Sequence, residues 1–371
     1  MIRNYHKITK AMAASLDLSV EELVRCYNRA TVADIAAICE LLCLGFGVVE
    51  NLSPEIIAWR YFNFSKNVSD IFVLRYHGQL IGAVGAEPIN VKVGDKEYQG
   101  IRAGDIVVHP EHGKRGIGAW MNLHLQHTFS IVMVMGSNEK SDTMVRRLFH
   151  PMNCRNHFKI LFSIKNYLNV RGWPPILISL MSPVAALSLC LIRKPRLTPL
   201  PHDYALTISD NTEQLTAFFN NPDYIPRESN MVLRSAAYCR WRYDLNPKSH
   251  FSTLYVHHTN QMIGYAVIKN NNSATRKDFQ LMDWDFLPQY RNEKNLRIVF
   301  SAAIKFSLEN GAQALCVMAS DSLSSSNLRQ TGFSHRALDD GFFLFAKDDV
   351  VRDVLDDQKW FLSFCDTDEA L

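Results

Sequence analysis

Between Gly104 and Leu125 the chain orders its residues in a way suited to holding an anion. A strand-like run, Gly104-Asp105-Ile106-Val107-Val108, meets His109-Pro110-Glu111-His112 and then Gly113-Lys114-Arg115-Gly116-Ile117-Gly118-Ala119. Trp120-Met121-Asn122-Leu123-His124-Leu125 follows as the first turns of a helix. A glycine loop feeding a helix N-terminus leaves backbone N–H groups unpaired where the helix dipole is positive, which is what a phosphate-type anion needs. Lys114 and Arg115 add charge beside it. There is no Gly-Lys-Ser/Thr, and the glycines do not fit a dinucleotide fingerprint, so other nucleotide loops are disfavoured.

Other chemistries find little support. No serine or cysteine has a base at a recognisable spacing, so a covalent acyl-enzyme is not expected. The histidines show no metal-ligand spacing, and no metal is expected. Eight cysteines (26, 39, 43, 154, 190, 239, 316 and 365) contain no C-x-x-C pair, which disfavours zinc ribbons and redox dithiols. Scattered thiols point to a reducing compartment, hence a cytoplasmic location.

Length and composition set the frame for this loop. At 371 residues the chain calls for two domains, and 47% hydrophobic with 21% charged residues is a globular composition. A formal charge of +3 gives no electrostatic case for nucleic acid. The first residues carry Arg3, Lys7 and Lys10 with no acid before Asp17. They suit a helix appended to the first domain better than a targeting peptide, since no apolar core segment is present.

Strand and helix patterns then alternate. Ser19 three residues before Glu22 predicts a capped helix, and Thr31 to Asp34 opens another with Ile35, Ile38, Leu41 and Leu42 at helical spacing. Ile71 to Leu74, Leu80 to Val84 and Ile131 to Met135 predict strands, the last followed by a helix beginning near Ser141. The pattern repeats. Trp59-Arg60-Tyr61 recurs as Trp241-Arg242-Tyr243, and in each copy an Ile-Gly pair begins 22 residues after the tryptophan. Asp105 with Pro110 recurs as Asp283 with Pro288, and Val134-Met135-Gly136-Ser137-Asn138 as Val317-Met318-Ala319-Ser320-Asp321. Ordered matches of this kind predict a duplicated domain. Between the copies, residues 174–192 carry no charge, and their length suits a bilayer core. Pro174, Pro175 and Pro183 interrupt the stretch, leaving two readings: a linker buried at the domain interface, or contact with a membrane surface.

With the loop and repeat together, the chain resembles the GNAT superfamily of acyl-CoA N-acyltransferases. Asn28 to Ile35 is similar to the family's first strand entering its first helix, Ile106 to Pro110 to its fourth strand, and Gly113 to Gly118 to its pyrophosphate loop. Leu148 to Cys154 lies where the family often has Leu-Tyr-x-x-x-Gly-Phe. The resemblance implies an α+β sandwich of two GNAT-like domains, each a mixed, mostly antiparallel sheet flanked by helices. The expected division is a helical extension over 1–25, a domain with the acyl-CoA site over 26–170, a hydrophobic linker over 171–202, a degenerate second domain over 203–350 and a tail or helix over 351–371. Acetyl-CoA is the implied co-substrate. The backbone of Ile106, Val107 and Val108 would meet its pantetheine, and Gly113, Lys114, Arg115, Gly116, Ile117, Gly118 and Ala119 its pyrophosphate. Asn138 would bond the pantetheine or cap the next helix.

The implied reaction is direct attack by a primary amine of a small molecule, an amino sugar being one candidate, on an acetyl or short acyl thioester. Asp105 leads as the base, with Glu139 and His109 behind it. A structural role for Asp105 is also open, because Asp283 stands at the same place beside Arg291-Asn292-Glu293-Lys294, which lacks the glycines. That second copy is expected to take no acyl-CoA. Phe149 replaces the usual phenol acid, which leaves water or Tyr61 to protonate the thiolate. It also motivates the alternative of a non-catalytic acyl-CoA or partner-binding protein. A transferase using aminoacyl-tRNA is disfavoured by the intact loop. Oligomeric state is not assigned.

Overall fold

The strands fall into two sheets, and neither is built from one contiguous half of the chain. In this computed structural model the described residues are 5–47, 53–62, 69–162, 174, 177, 195–270, 277–337, 341–347 and 354–367. The chain opens with α1 (Tyr5–Ser15) and α2 (Val20–Cys26), the second capped at Ser19, whose Oγ accepts from the Glu22 amide while Glu22 Oε2 accepts from Ser19 N. β1 (Tyr27–Arg29), α3 (Ile35–Phe46) and α4 (Pro54–Phe62) follow. Then come β2 (Ile71–Tyr76), β3 (Gln79–Val93), β4 (Lys96–Val108), α5 (Ile117–Thr128), β5 (Ile131–Met135), α6 (Glu139–Leu148), β6 (His150–Met152) and β7 (Asn156–Leu161). The second half runs β8 (Tyr204–Ser209), α7 (Leu215–Phe219), β9 (Met231–Val232), α8 (Ala236–Cys239), β10 (His250–His258), β11 (Gln261–Asn270) and β12 (Asp278–Phe286). It ends with α9 (Glu293–Glu309), β13 (Ala314–Ala319), α10 (Ser322–Thr331), β14 (Ser334–Ala337) and β15 (Phe342–Ala346).

The first sheet has the order β1-β2-β3-β4-β5-β15-β6, with β9 also pairing β3; the second has β14-β7-β13-β12-β11-β10-β8. The β4–β5 and β12–β13 pairs are parallel, and the other pairs are antiparallel. β15, late in the chain, lies between β5 and β6, while β7 from the first half lies between β13 and β14. A division at residues 170 and 203 therefore does not follow the sheets: each half donates a strand to the other.

The repeated Trp-Arg-Tyr elements meet at the junction. Trp59 and Trp241 stack at 5.4 Å between ring centroids, and each indole N–H donates to the other's backbone carbonyl, at 2.8 and 3.1 Å. This reciprocal pair is what an approximate two-fold relation between copies requires. Buried Glu87 lies beside it with Arg60 Nε at 3.6 Å, Arg242 Nη1 at 4.0 Å and an ion pair to Arg102. Glu87→Leu removes a buried carboxylate that Arg60, Arg102 and Arg242 share, and is expected to lower stability by about 3–5 kcal/mol. Chemical denaturation checks this.

α1 packs on α5, where Trp120 Nε1 donates to Thr9 Oγ1 at 3.2 Å and Tyr5 Oη meets His124 Nδ1 at 2.7 Å. Burial pushes the His124 imidazolium down to about 4, so that ring is neutral across the physiological range. Among the described residues no helix is long and apolar enough to cross a membrane. Nearly all of 174–192, the stretch left with two readings, lies outside the described residues.

Candidate active site

The β4–β5 ladder stops short. It pairs Ile101 with Val132, Arg102 with Met133 and Ala103 with Val134, after which the parallel strands part. β4 continues from Gly104 to Val108 with the edge that faced β5 open. A cleft of about 290 Å³ fills the gap, lined by Asp105 and Ile106 on β4, Val134 and Met135 on β5, and Ser137 and Asn138 beyond it. Phe46 at the end of α3 also borders it.

Asp105 enters the cleft through a β-bulge. On β3, Ala83 faces Val107 and Gly85 faces Gly104, so Asp105 and Ile106 together oppose Val84. The extra residue is accommodated by a left-handed backbone at Asp105, φ 48°. That conformation is uncommon outside glycine, though aspartate tolerates it better than most residues. Its side chain is held from behind. Arg60 Nη1 donates to Oδ2 at 2.7 Å and Tyr61 Oη at 2.6 Å. Gly85 is required here, since a Cβ would collide with the Tyr61 hydroxyl. Both recorded bonds end on Oδ2, and the side chain is 16% exposed, which leaves Oδ1 as the atom available to a ligand.

The glycine loop leads from a tight turn into a helix. Pro110–Arg115 forms a 3₁₀ turn, Gly116 adopts φ 77°, and α5 begins at Ile117 with no side-chain cap. The first-turn N–H groups of α5 thus have no intrahelical acceptor and no competing side chain. A Cβ at Gly113 or Gly116 would meet nothing within 4 Å, but only Gly116 needs glycine for its backbone. Lys114 is exposed, while Arg115 Nη1 reaches away to the Ser15 carbonyl at 2.8 Å. The uncapped loop and the open strand edge fit the pyrophosphate and pantetheine of an acyl-CoA. Ile106 borders the cleft, Val107 packs its side chain on α3, and Val108 packs toward α5.

The remaining predicted residues are placed unevenly. Asn138 caps α6, its Oδ1 accepting from Ser141 N at 3.0 Å, while still lining the cleft. Glu139 is exposed on the first turn of α6 and does not line the cleft, so its charge answers the helix dipole instead. His109 precedes the 3₁₀ turn, and its amide donates to Ile81 O at 2.8 Å. Phe149 is buried beneath α5 and α6, away from the cleft. Tyr61 is fully buried with its proton directed to Asp105, which removes it as a donor to a leaving group. Among the described residues, no tyrosine lines the cleft. The pairing of Arg60 and Tyr61 with Asp105 was not anticipated, although their place in the repeated triad was a signal.

The corresponding place in the second copy is filled by the chain itself. β12 and β13 pair from Asp278–Ala314 to Leu281–Val317 and then part. Residues 360–367 bridge that gap: Ser320 Oγ donates to Trp360 O at 2.6 Å and accepts from Leu362 N at 2.7 Å, while Ser363 Oγ donates to Asp283 Oδ1 at 3.2 Å. Asp283 also receives Tyr265 Oη at 3.0 Å and pairs with Arg234 at 3.3 Å, and its burial raises its pKa. The second helix start is closed as well, because Asn292 Oδ1 caps α9 through Asn295 N at 3.1 Å. Glu293, exposed there, pairs with Arg297 at 3.1 Å.

A parallel pair that splays beside a glycine loop and an uncapped helix, within a mixed sheet flanked by helices, is the architecture of a GNAT acyltransferase. Residues 27–130 match the family model described as an acetyltransferase (GNAT) domain, and this part of the chain is such a domain. Its fold is shared over most of the chain by solved structures. A GCN5-related N-acetyltransferase from Anabaena variabilis superposes with TM-score 0.57 at 10% identity, covering 86% of this chain and 71% of that one. One from Kribbella flavida gives 0.54 at 11%, covering 87% and 71%. Eis1 from Mycobacterium abscessus gives 0.51 at 12%, covering 87% and 74%. No curated protein matches the chain in sequence.

Proposed function

We propose that the chain is an acyl-CoA-dependent N-acyltransferase that moves an acetyl or short acyl group to the primary amine of a small molecule, an amino sugar being one candidate. The observation that carries this reading is the position of Asp105 on the bulged strand, lining the cleft where β4 and β5 part, on the same strand that runs on into the glycine loop. When bound, acyl-CoA supplies the thioester. The α5 N-terminus and Lys114 would bind its pyrophosphate, and the β4 edge from Ile106 to Val108 would align its pantetheine.

The amine must lose a proton as its lone pair attacks the carbonyl carbon. Asp105 Oδ1 takes that proton, while Arg60 and Tyr61 fix the carboxylate through Oδ2. The C–S bond then breaks and the thiolate is protonated by water, since the open cleft carries no phenol among the described residues. Acetyl-CoA with a panel of amino sugars and diamines should release free thiol in proportion to acylated amine.

A cytoplasmic protein working from one acyl-CoA site per chain completes the proposal. A valine at position 116 would be strained at its positive φ and would place its side chain in the loop. Gly116→Val is expected to weaken acetyl-CoA about tenfold or more, measured by calorimetric titration. The second reading, acyl-CoA binding without turnover, draws on the buried Phe149 and the committed Tyr61. Tight binding with no thiol release across a broad amine panel would favour it.

A further inference from the structure

We propose that His109, Glu111 and His112 form a site for a divalent transition-metal ion of the zinc type at the entrance to the anion loop. His109 immediately precedes the 3₁₀ turn Pro110–Arg115, and His112 N donates to His109 O at 2.9 Å. Three residues per turn stack positions i and i+3, so the two imidazoles share one face, a proximity invisible if the segment is read as an extended loop. Each of the three side chains brings one potential ligand atom, and these atoms lie within 4.8 Å of one another.

A second observation points the same way. Nδ1 of His109 and Nδ1 of His112 are both shut from solvent without a hydrogen-bond partner, and His112 is only 9% exposed. Buried ring nitrogens ordinarily find a partner, and a metal ion is one that two imidazoles and a carboxylate can share. Two histidines and one glutamate suit Zn²⁺ or Co²⁺ and leave a fourth position for water. Bonds of about 2.0–2.2 Å would draw in any pair of ligand atoms standing near the 4.8 Å limit. Glu111 is exposed. Of the neighbouring cations, Lys114 is exposed and Arg115 donates to the Ser15 carbonyl. An ion held here would pin the turn that hands the chain to Gly113.

The test is a titration of the intact chain, stripped with chelator, using Co²⁺ and Zn²⁺ alone and no acyl-CoA. It therefore stands or falls separately from acyl transfer. The expected result is one Co²⁺ per chain with visible absorption of a four- or five-coordinate ion, displaced by Zn²⁺, which also raises the melting temperature. His109→Ala should weaken the ion about tenfold or more. His112→Phe keeps a ring against Tyr76 while removing the ligand, and should do the same; circular dichroism of both metal-free variants verifies folding. Absence of a Co²⁺ spectrum, or an ion bound equally well by folded His109→Ala, would overturn the proposal.

Discussion

Removing residues 360–371 is expected to leave a chain that does not fold to a cooperative, soluble state. The segment carries Trp360, Phe361, Leu362, Phe364 and Cys365, all at most 2% exposed. At about 1.5–3 kcal/mol for each large apolar side chain, their burial is of order 10 kcal/mol. That is comparable with the whole net stability of a typical protein, about 5–15 kcal/mol. The polar losses add to this. Asp366 pairs with buried Arg234 at 2.8 Å, and the Thr367 carbonyl accepts from buried Arg242, so truncation removes one acceptor from each of two buried guanidinium groups. Loss of soluble expression, or a melt without a cooperative transition, is the predicted outcome. A truncated chain melting within a few degrees of the intact protein would show that the segment is dispensable.

Asp105→Asn is expected to lower kcat about 10²–10⁴-fold, the range a positioned general base contributes, while acetyl-CoA binding stays within a few-fold of the parent. Asparagine keeps the shape of the side chain and still accepts from Arg60 and Tyr61, so the bulge should survive. A purely structural carboxylate would behave differently: turnover would persist and stability would fall. The comparison with Asp283 favours the catalytic reading. Asp283 is 1% exposed and shared among Arg234, Tyr265 and Ser363, whereas Asp105 keeps Oδ1 for the cleft. Position in the repeat is the same, but access to a substrate is not. Single-turnover thiol release, with melting curves of both proteins, separates the outcomes.

The loop and the duplication were legible in the sequence because both rest on local features. Glycines, a proline and an apolar helix start announce a tight turn running into a helix, which is what the chain forms, and Trp-Arg-Tyr is rare enough to mark a repeat. Ser19 and Glu22 announced a cap that is present. What was not legible depends on long-range pairing. Nothing in Asn156–Leu161 or Phe342–Ala346 tells which sheet each strand will join, and the two are exchanged. Residues 351–371 read as a tail or helix, and nothing local told that Trp360 to Ser363 would fill the gap where β12 and β13 part. The left-handed Asp105 had no cue, because it follows from a register slip between β3 and β4. Asn138 offered two readings, and the structure places it as a helix cap that still borders the cleft.

The proposed function requires a single working acyl-CoA cleft, its duplicate being closed by residues 360–367. Titration of the intact chain with acetyl-CoA by calorimetry tests it most directly. One molecule per chain, lost or strongly weakened in Gly116→Val, is the predicted result. No binding, two molecules per chain, or an affinity indifferent to Gly116→Val would contradict it.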